Sequence, residues 1–173
     1  MSDRELSQKK LDNEALDPSS LHLDNQLCHR MYVASNLLTR IYRPLLSPLD
    51  LTYPQYLIML ALWEEDNVSI LNILERTKID GGSLTLILKK LVTKKLVNVE
   101  SCSQDKRKKK VKLTRKAKCL RSKALQVNHD LRCRFGGVFE EDEFDAFVKS
   151  IDKLNDSILE KVSHIEKGEE DNL

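Results

Sequence analysis

The sequence predicts a mainly α-helical fold with one small β-hairpin, on three observations. Apolar residues recur at three- and four-residue steps through most of the chain, and this period gives way to alternation at two short stretches, 96–99 and 110–113. Five glycines and four prolines accompany 40% hydrophobic content, a composition of ordered helices rather than of disorder. At 173 residues the chain suits one domain with a helical extension and can bury a core.

The elements follow in order. Residues 1–20 lack periodicity and are expected to form a flexible arm. A first helix is expected over about residues 23–46, with Leu23, Leu27, Met31, Ala34, Leu38, Ile41 and Leu45 along one face, and Pro48 ends it. Thr52-Tyr53-Pro54-Gln55 has the spacing of a capping box with a proline in the first turn, and opens a second helix through Leu57, Leu60, Ala61 and Trp63. Ser69 caps a short third helix through Ile70, Ile73 and Leu74. Asp80-Gly81-Gly82 reads as a turn, and residues 83–95 as a fourth helix with Leu84, Ile87, Leu88 and Leu91 inward. The two alternating stretches pair as a hairpin with a long basic tip. Thr114 caps a fifth helix reaching about Phe135, with Ala117, Leu120, Ala124, Val127 and Leu131 in register, and Gly136-Gly137 breaks it. A sixth, acidic helix carries Phe144, Phe147, Ile151, Leu154, Ile158, Val162 and Ile165 in a nearly heptad stripe.

This order is that of a winged helix-turn-helix, formed by the second to fourth helices and the hairpin. The seams on the first, fifth and sixth helices are narrow, and a narrow seam serves either as intramolecular core or as a contact with partner helices. Taken as N- and C-terminal dimerisation helices, they divide the chain into a flexible arm (1–20), a first dimerisation and sensor helix (21–50), a DNA-binding winged helix-turn-helix (51–114), C-terminal dimerisation helices (115–167) and an acidic tail (168–173).

The net charge of +2 conceals a segregation. Residues 89–123 hold fifteen Lys and Arg against Glu100 and Asp105, a net +13, whereas the chain from Gly137 onward nets −8. A basic middle beside an acidic end points to a polyanion-binding surface, the alternative being a solvated charged helix. In a helix-turn-helix the N-terminal turns of the second helix meet base edges in the major groove, here Gly82, Ser83 and Thr85, with Lys89, Lys90 and Lys94 suited to phosphates. The hairpin tip, with Arg107 and Lys108, can reach the adjacent minor groove, where narrowing focuses negative potential on an inserted arginine. Asp105 either orients the Arg107 guanidinium or is an ordinary turn residue.

Cys28, Cys102, Cys119 and Cys133 form no CxxC pair and suggest neither a disulfide scaffold nor a zinc site. His129 and Cys133 stand four residues apart, but two ligands without a second pair make no metal centre, so neither metal nor cofactor is expected. No apolar run reaches the roughly 18 residues of a membrane span, and the N-terminus is polar, so a cytoplasmic protein without membrane contact is expected. Neither a Gly-rich phosphate loop nor a nucleophilic triad is visible, and an enzyme is not expected, catalytic residues being none.

The stretches Leu23-Asp24-Asn25-Gln26-Leu27-Cys28, Tyr42-Arg43-Pro44-Leu45-Leu46, Leu51-Thr52-Tyr53-Pro54-Gln55-Tyr56-Leu57, Leu62-Trp63-Glu64, Ser83-Leu84-Thr85, Leu88-Lys89-Lys90-Leu91 and Asp105-Lys106-Arg107 resemble the bacterial organic hydroperoxide resistance repressors of the MarR family, over about residues 21–133. The resemblance implies a homodimer on palindromic operator DNA, released when Cys28 is oxidised by an organic hydroperoxide. It also implies that Tyr42 and Tyr53 hydrogen-bond the reactive sulfur from the opposite subunit, with Tyr32 as a further pocket residue. Cys133 lies where two-cysteine members carry a resolving thiol, flanked by Arg132 and Arg134. His29, Gly81 and Leu86 depart from the family pattern, which bears on operator and oxidant more than on fold. Cys28 and Tyr42 are fourteen residues apart, about 21 Å along one helix, so only an antiparallel partner brings them together. A lone cysteine on an amphipathic helix is otherwise inert packing, and a thiol at a helix start is favoured as thiolate. The alternative trigger is a small aromatic ligand.

Overall fold

The computed structural model describes residues 18–101 and 109–166. The described helices are α1 (Leu27–Leu46), α2 (Tyr53–Glu64), α3 (Ile70–Thr77), α4 (Gly81–Thr93), α5 (Arg115–Phe135) and α6 (Glu141–Glu166). The strands are β1 (Val68–Ser69), β2 (Val97–Ser101) and β3 (Lys109–Leu113), and single 3-10 turns occupy Pro18–Leu21, Leu23–Asn25 and Ser47–Leu49. The chain divides into two compact units, Met1–Val127 and Asn128–Leu173. The expected tail at 168–173 and most of the expected arm lie outside the described residues, as do Cys102, Asp105, Arg107 and Lys108.

The first unit is built around α2, which buries Tyr56, Ile58, Met59, Ala61, Leu62 and Trp63 and is apolar almost all round, as a central helix must be. Against it lie Ile73 of α3, Leu84, Leu88 and Leu91 of α4, and Val97, Val111 and Leu113 of the sheet. The sheet is antiparallel in the order β1-β3-β2, with Val68 opposite Val111 and Val97 opposite Leu113. Strand β1 was not expected, because two residues carry no period to read. The hairpin is where the alternating stretches placed it and runs on to Ser101 and Lys109, with buried and exposed residues alternating at 111–113 of β3 but not along β2, where Val97 alone is buried.

Two boundaries differ from the expected ones, each for a local reason. Helix α1 begins at Leu27 rather than about residue 23, because Asn25 Nδ2 donates to Ser19 O and Gln26 Nε2 to Ser20 O, holding the 3-10 turn. Its N-cap position is therefore Gln26, without a side-chain cap. Helix α4 begins at Gly81, since Asp80 accepts from the Ser83 N–H at 2.8 Å and places both glycines inside the first turn. The fifth helix also packs differently from a pure dimerisation helix. Ala117, Ala124 and Val127 are buried in the core of its own unit, and Trp63 Nε1 donates to Ala117 O at 3.0 Å, so this part of the seam is intramolecular.

Asp66 knots the root of the hairpin. It accepts from the Leu113 N–H at 2.7 Å and the Asn67 N–H at 2.8 Å, and pairs with Lys118 at 2.9 Å, joining the end of α2 to β3 and α5. Partial burial works to raise its pKa, but those hydrogen bonds and the Lys118 charge outweigh it and hold the carboxyl below its ordinary value of 3.8. A carboxylate with a depressed folded-state pKa stabilises the fold above its unfolded pKa, and that contribution is lost as pH falls through the folded value. Asp66→Asn is thus expected to lower the melting temperature at neutral pH, and the gap to wild type is expected to close as pH falls below 3.8. Thermal unfolding of both proteins across that range checks it, and a pH-independent gap would contradict the assignment.

In the second unit α6 exposes its apolar stripe, with Phe144 52%, Phe147 49%, Ile158 46%, Val162 43% and Ile165 70% exposed. Phe139 stacks on Phe147 at 5.4 Å between ring centroids. No helix among the described residues is long and apolar enough to cross a membrane.

Candidate nucleic-acid interface and thiol site

Helix α4 is held by Leu84, Leu88 and Leu91, which are buried, and this fixes the opposite face toward solvent. Gly82, Ser83, Thr85, Lys89 and Lys90, the expected DNA contacts of this helix, are all exposed. The Ser83 backbone N–H donates to the Asp80 carboxylate at 2.8 Å and holds Asp80 below the usual carboxylate range. Thr85 Oγ1 donates to Gly81 O at 2.9 Å.

Lys94 is not the free phosphate ligand that the charge pattern suggested. Its ammonium pairs with Asp50 Oδ1 at 3.0 Å and reaches Gln55 Oε1 at 3.2 Å. Gln55 in turn accepts from the Thr52 N–H at 3.1 Å, completing the capping box of α2. Lys116 Nζ donates to Lys94 O at 3.0 Å. The C-terminal end of α4 is thereby tied to the α1–α2 connection and to α5. Below the tip, Lys109, Lys110 and Lys112 of β3 are exposed.

Cys28 is exposed and is the second residue of α1. Tyr42, on the same continuous helix, joins an aromatic cluster with ring centroids 4.7 Å from Tyr53 and 5.9 Å from Tyr56. Burial first, then the neighbouring Tyr53 and Tyr56, push Tyr42 up to about 12, and burial also raises Tyr53 and Tyr56. These phenols stay protonated at physiological pH and can donate to a thiolate. Since α1 is unbroken from Leu27 to Leu46, it separates Cys28 from the Tyr42 cluster by about 21 Å within one chain. Tyr32 is 68% exposed and stands apart from the cluster. Tyr56 was not singled out from sequence, although its three-residue step from Tyr53 puts both on one helix face.

Cys133 is exposed near the end of α5, its Sγ 3.9 Å from His129 Nδ1, and Arg132 and Asn128 line the same surface depression. Among the described residues no three His, Cys, Asp or Glu side chains gather as a metal site.

Comparison with known proteins bears on the family and the fold. Residues 40–123 match the family described as transcriptional regulator SarA/Rot. Over 107 residues the chain is 36% identical to the organic hydroperoxide resistance transcriptional regulator of Bacillus subtilis (strain 168), a span of 62% of this chain and 73% of that protein. The crystal structure of AbfR of Staphylococcus epidermidis is similar at a TM-score of 0.66 and 25% identity, covering 91% of this chain and 99% of that one. Wild-type MarR of E. coli, in its apo form, shares the fold at a TM-score of 0.61 and 24% identity over 75% of this chain and 96% of that one.

Proposed function

This chain belongs to the SarA/Rot-type winged-helix transcriptional regulators, a MarR-like group, and from that premise we propose that it is a homodimeric repressor switched off DNA by organic hydroperoxides. In this reading residues 51–114 grip a palindromic operator through Gly82, Ser83, Thr85, Lys89 and Lys90 in the major groove and Asp105, Arg107 and Lys108 at the minor groove. Residues 21–50 sense, residues 115–167 dimerise, and the protein works in the cytoplasm as a regulator rather than an enzyme.

One observation carries the redox trigger. An exposed Cys28 at the start of α1 and a protonated tyrosine cluster about 21 Å further along the same helix make a complete thiol pocket only when two chains lie antiparallel. In the dimer, Tyr42 and Tyr53 of one subunit donate to the Cys28 sulfur of the other, and Tyr32 borders the pocket. The Cys28 thiolate attacks the terminal oxygen of a hydroperoxide, the O–O bond breaks, and the alkoxide leaves as the alcohol once protonated, giving a sulfenic acid. The Cys133 thiol of the partner subunit then displaces water to form a disulfide. A disulfide holds its Cα atoms within about 7 Å. Sulfenic acid at Cys28 already disturbs the tyrosine hydrogen bonds and loosens the hold on DNA, and closing the disulfide then moves α1 of one chain against α5 of the other and keeps the two α4 helices off the roughly 34 Å half-site spacing.

The test is a mobility-shift assay on the protein's own upstream DNA with and without cumene hydroperoxide. Release by hydroperoxide and recovery with dithiothreitol are expected. Release by a small aromatic compound but not by hydroperoxide would replace this trigger with ligand control. Arg107→Ala is expected to weaken specific binding by about 1–3 kcal/mol. Affinity should also fall steeply with salt, as phosphate contacts release counterions. Binding that is indifferent to both would remove the hairpin tip from the interface.

A further inference from the structure

The first two turns of α4 carry one exposed side chain that the contacts proposed above leave unused. Leu86 is 61% exposed, while Leu84, Leu88 and Leu91 of the same helix are buried. It lies four residues after Gly82, three after Ser83, three before Lys89 and four before Lys90, which places it at the centre of the exposed face. An isolated surface leucine has no meaning by itself. What gives this one meaning is the chemistry around it.

The Thr85 hydroxyl beside Leu86 is already engaged, since Thr85 Oγ1 donates to Gly81 O at 2.9 Å. Gly82 has no side chain. The first two turns of α4 therefore offer a groove the Thr85 methyl and the Leu86 isobutyl group, with the Ser83 hydroxyl beside them. In the major groove a G·C pair presents acceptors and an amino donor but no apolar group. A T·A pair presents the apolar thymine 5-methyl, which matches the Leu86 surface.

Resting on the DNA-binding reading above, we propose that Leu86 is a specificity-determining residue that packs on thymine 5-methyl groups, so that the first two turns of α4 select T·A pairs. Leu86 then sets base preference, while Lys89 and Lys90 on the next turn hold phosphates.

The test uses the reduced full-length protein to enrich duplexes from a random library. The enriched duplex is remade with each thymine in turn replaced by deoxyuridine, which removes the methyl and leaves the hydrogen-bonding edge unchanged. Wild type is expected to lose roughly four-fold in affinity at one or more thymines in each half-site, about the worth of one buried methyl. Leu86→Ala is expected to bind the thymine and uracil forms of that position equally, and Leu86→Met to keep part of the difference. The double comparison separates a Leu86–methyl contact from an effect of uracil on duplex shape. Equal wild-type affinity for every thymine and uracil pair would overturn the proposal and leave the DNA-binding reading intact. So would full discrimination retained by Leu86→Ala. A protein that enriches no duplex at all would overturn the DNA-binding reading and this proposal with it.

Discussion

Cys28→Ser is expected to stay on its operator at every dose of organic hydroperoxide that removes the wild-type protein. The serine hydroxyl is close in size to the thiol and sits on the exposed first turn of α1, so neither the fold nor the core changes. It has no thiolate to attack the O–O bond, and the first step of the switch is gone. The effect is large because turning an operator from about 99% occupied to about 1% takes a change near 10⁴-fold, roughly 5.5 kcal/mol. Titrating cumene hydroperoxide into both protein–DNA complexes, followed by fluorescence anisotropy, reads this directly. Cys133→Ser belongs beside it as a second variant. It is expected to release DNA once oxidised but to recover poorly with dithiothreitol, since an unresolved sulfenic acid goes on to sulfinic acid. A Cys28→Ser protein that leaves DNA at the wild-type dose would remove the sensor role from this residue.

Ile158→Asp is expected to break the dimer and operator binding together. Ile158 is 46% exposed on α6, in line with Phe144, Val162 and Ile165, and a partner helix is what would bury it. A carboxylate in such a seam is either desolvated, at a cost of several kcal/mol, or keeps the helices apart. Losing the second subunit also loses the second half-site, and linked binding of this kind is commonly worth about 10²–10⁴ in affinity. Analytical ultracentrifugation and a mobility shift on the same sample are expected to show a monomer that no longer retards DNA. A mutant that remains dimeric, or a monomer that binds with wild-type affinity, would place dimerisation elsewhere.

Local rules made much of the fold legible. Thr52 and Gln55 form the capping box that their spacing implied, and Ser69 caps α3 by accepting from the Asn72 N–H at 3.0 Å. The alternation at 96–99 and 110–113 marked the hairpin because its period changes from that of the flanking helices. Asp80-Gly81-Gly82 looked like a turn because two glycines disfavour a helix, yet the Asp80 cap outweighs that in the first turn. The seam of the fifth helix had two readings, and the burial of Ala117, Ala124 and Val127 with the Trp63 bond to Ala117 O identifies part of it as core.

At the candidate site, sequence found the exposed face of α4 but misplaced Lys94. A lysine facing phosphate and a lysine paired with Asp50, 44 residues away, look alike in a charge count. The engagement of the Thr85 hydroxyl was equally invisible, because a threonine hydroxyl on a helix can either bond the preceding turn or face outward. The tyrosine cluster was half legible: Tyr42 and Tyr53 came from resemblance, and Tyr56 only from the packed rings.

Intact mass spectrometry after mild cumene hydroperoxide treatment, on a sample whose loss of DNA is recorded in parallel, tests the redox switch most directly. Release is expected to track oxidation at Cys28, as a sulfenic adduct in Cys133→Ser and as a Cys28–Cys133 bond joining two subunits in wild type. DNA released while Cys28 remains an unmodified thiol would contradict it.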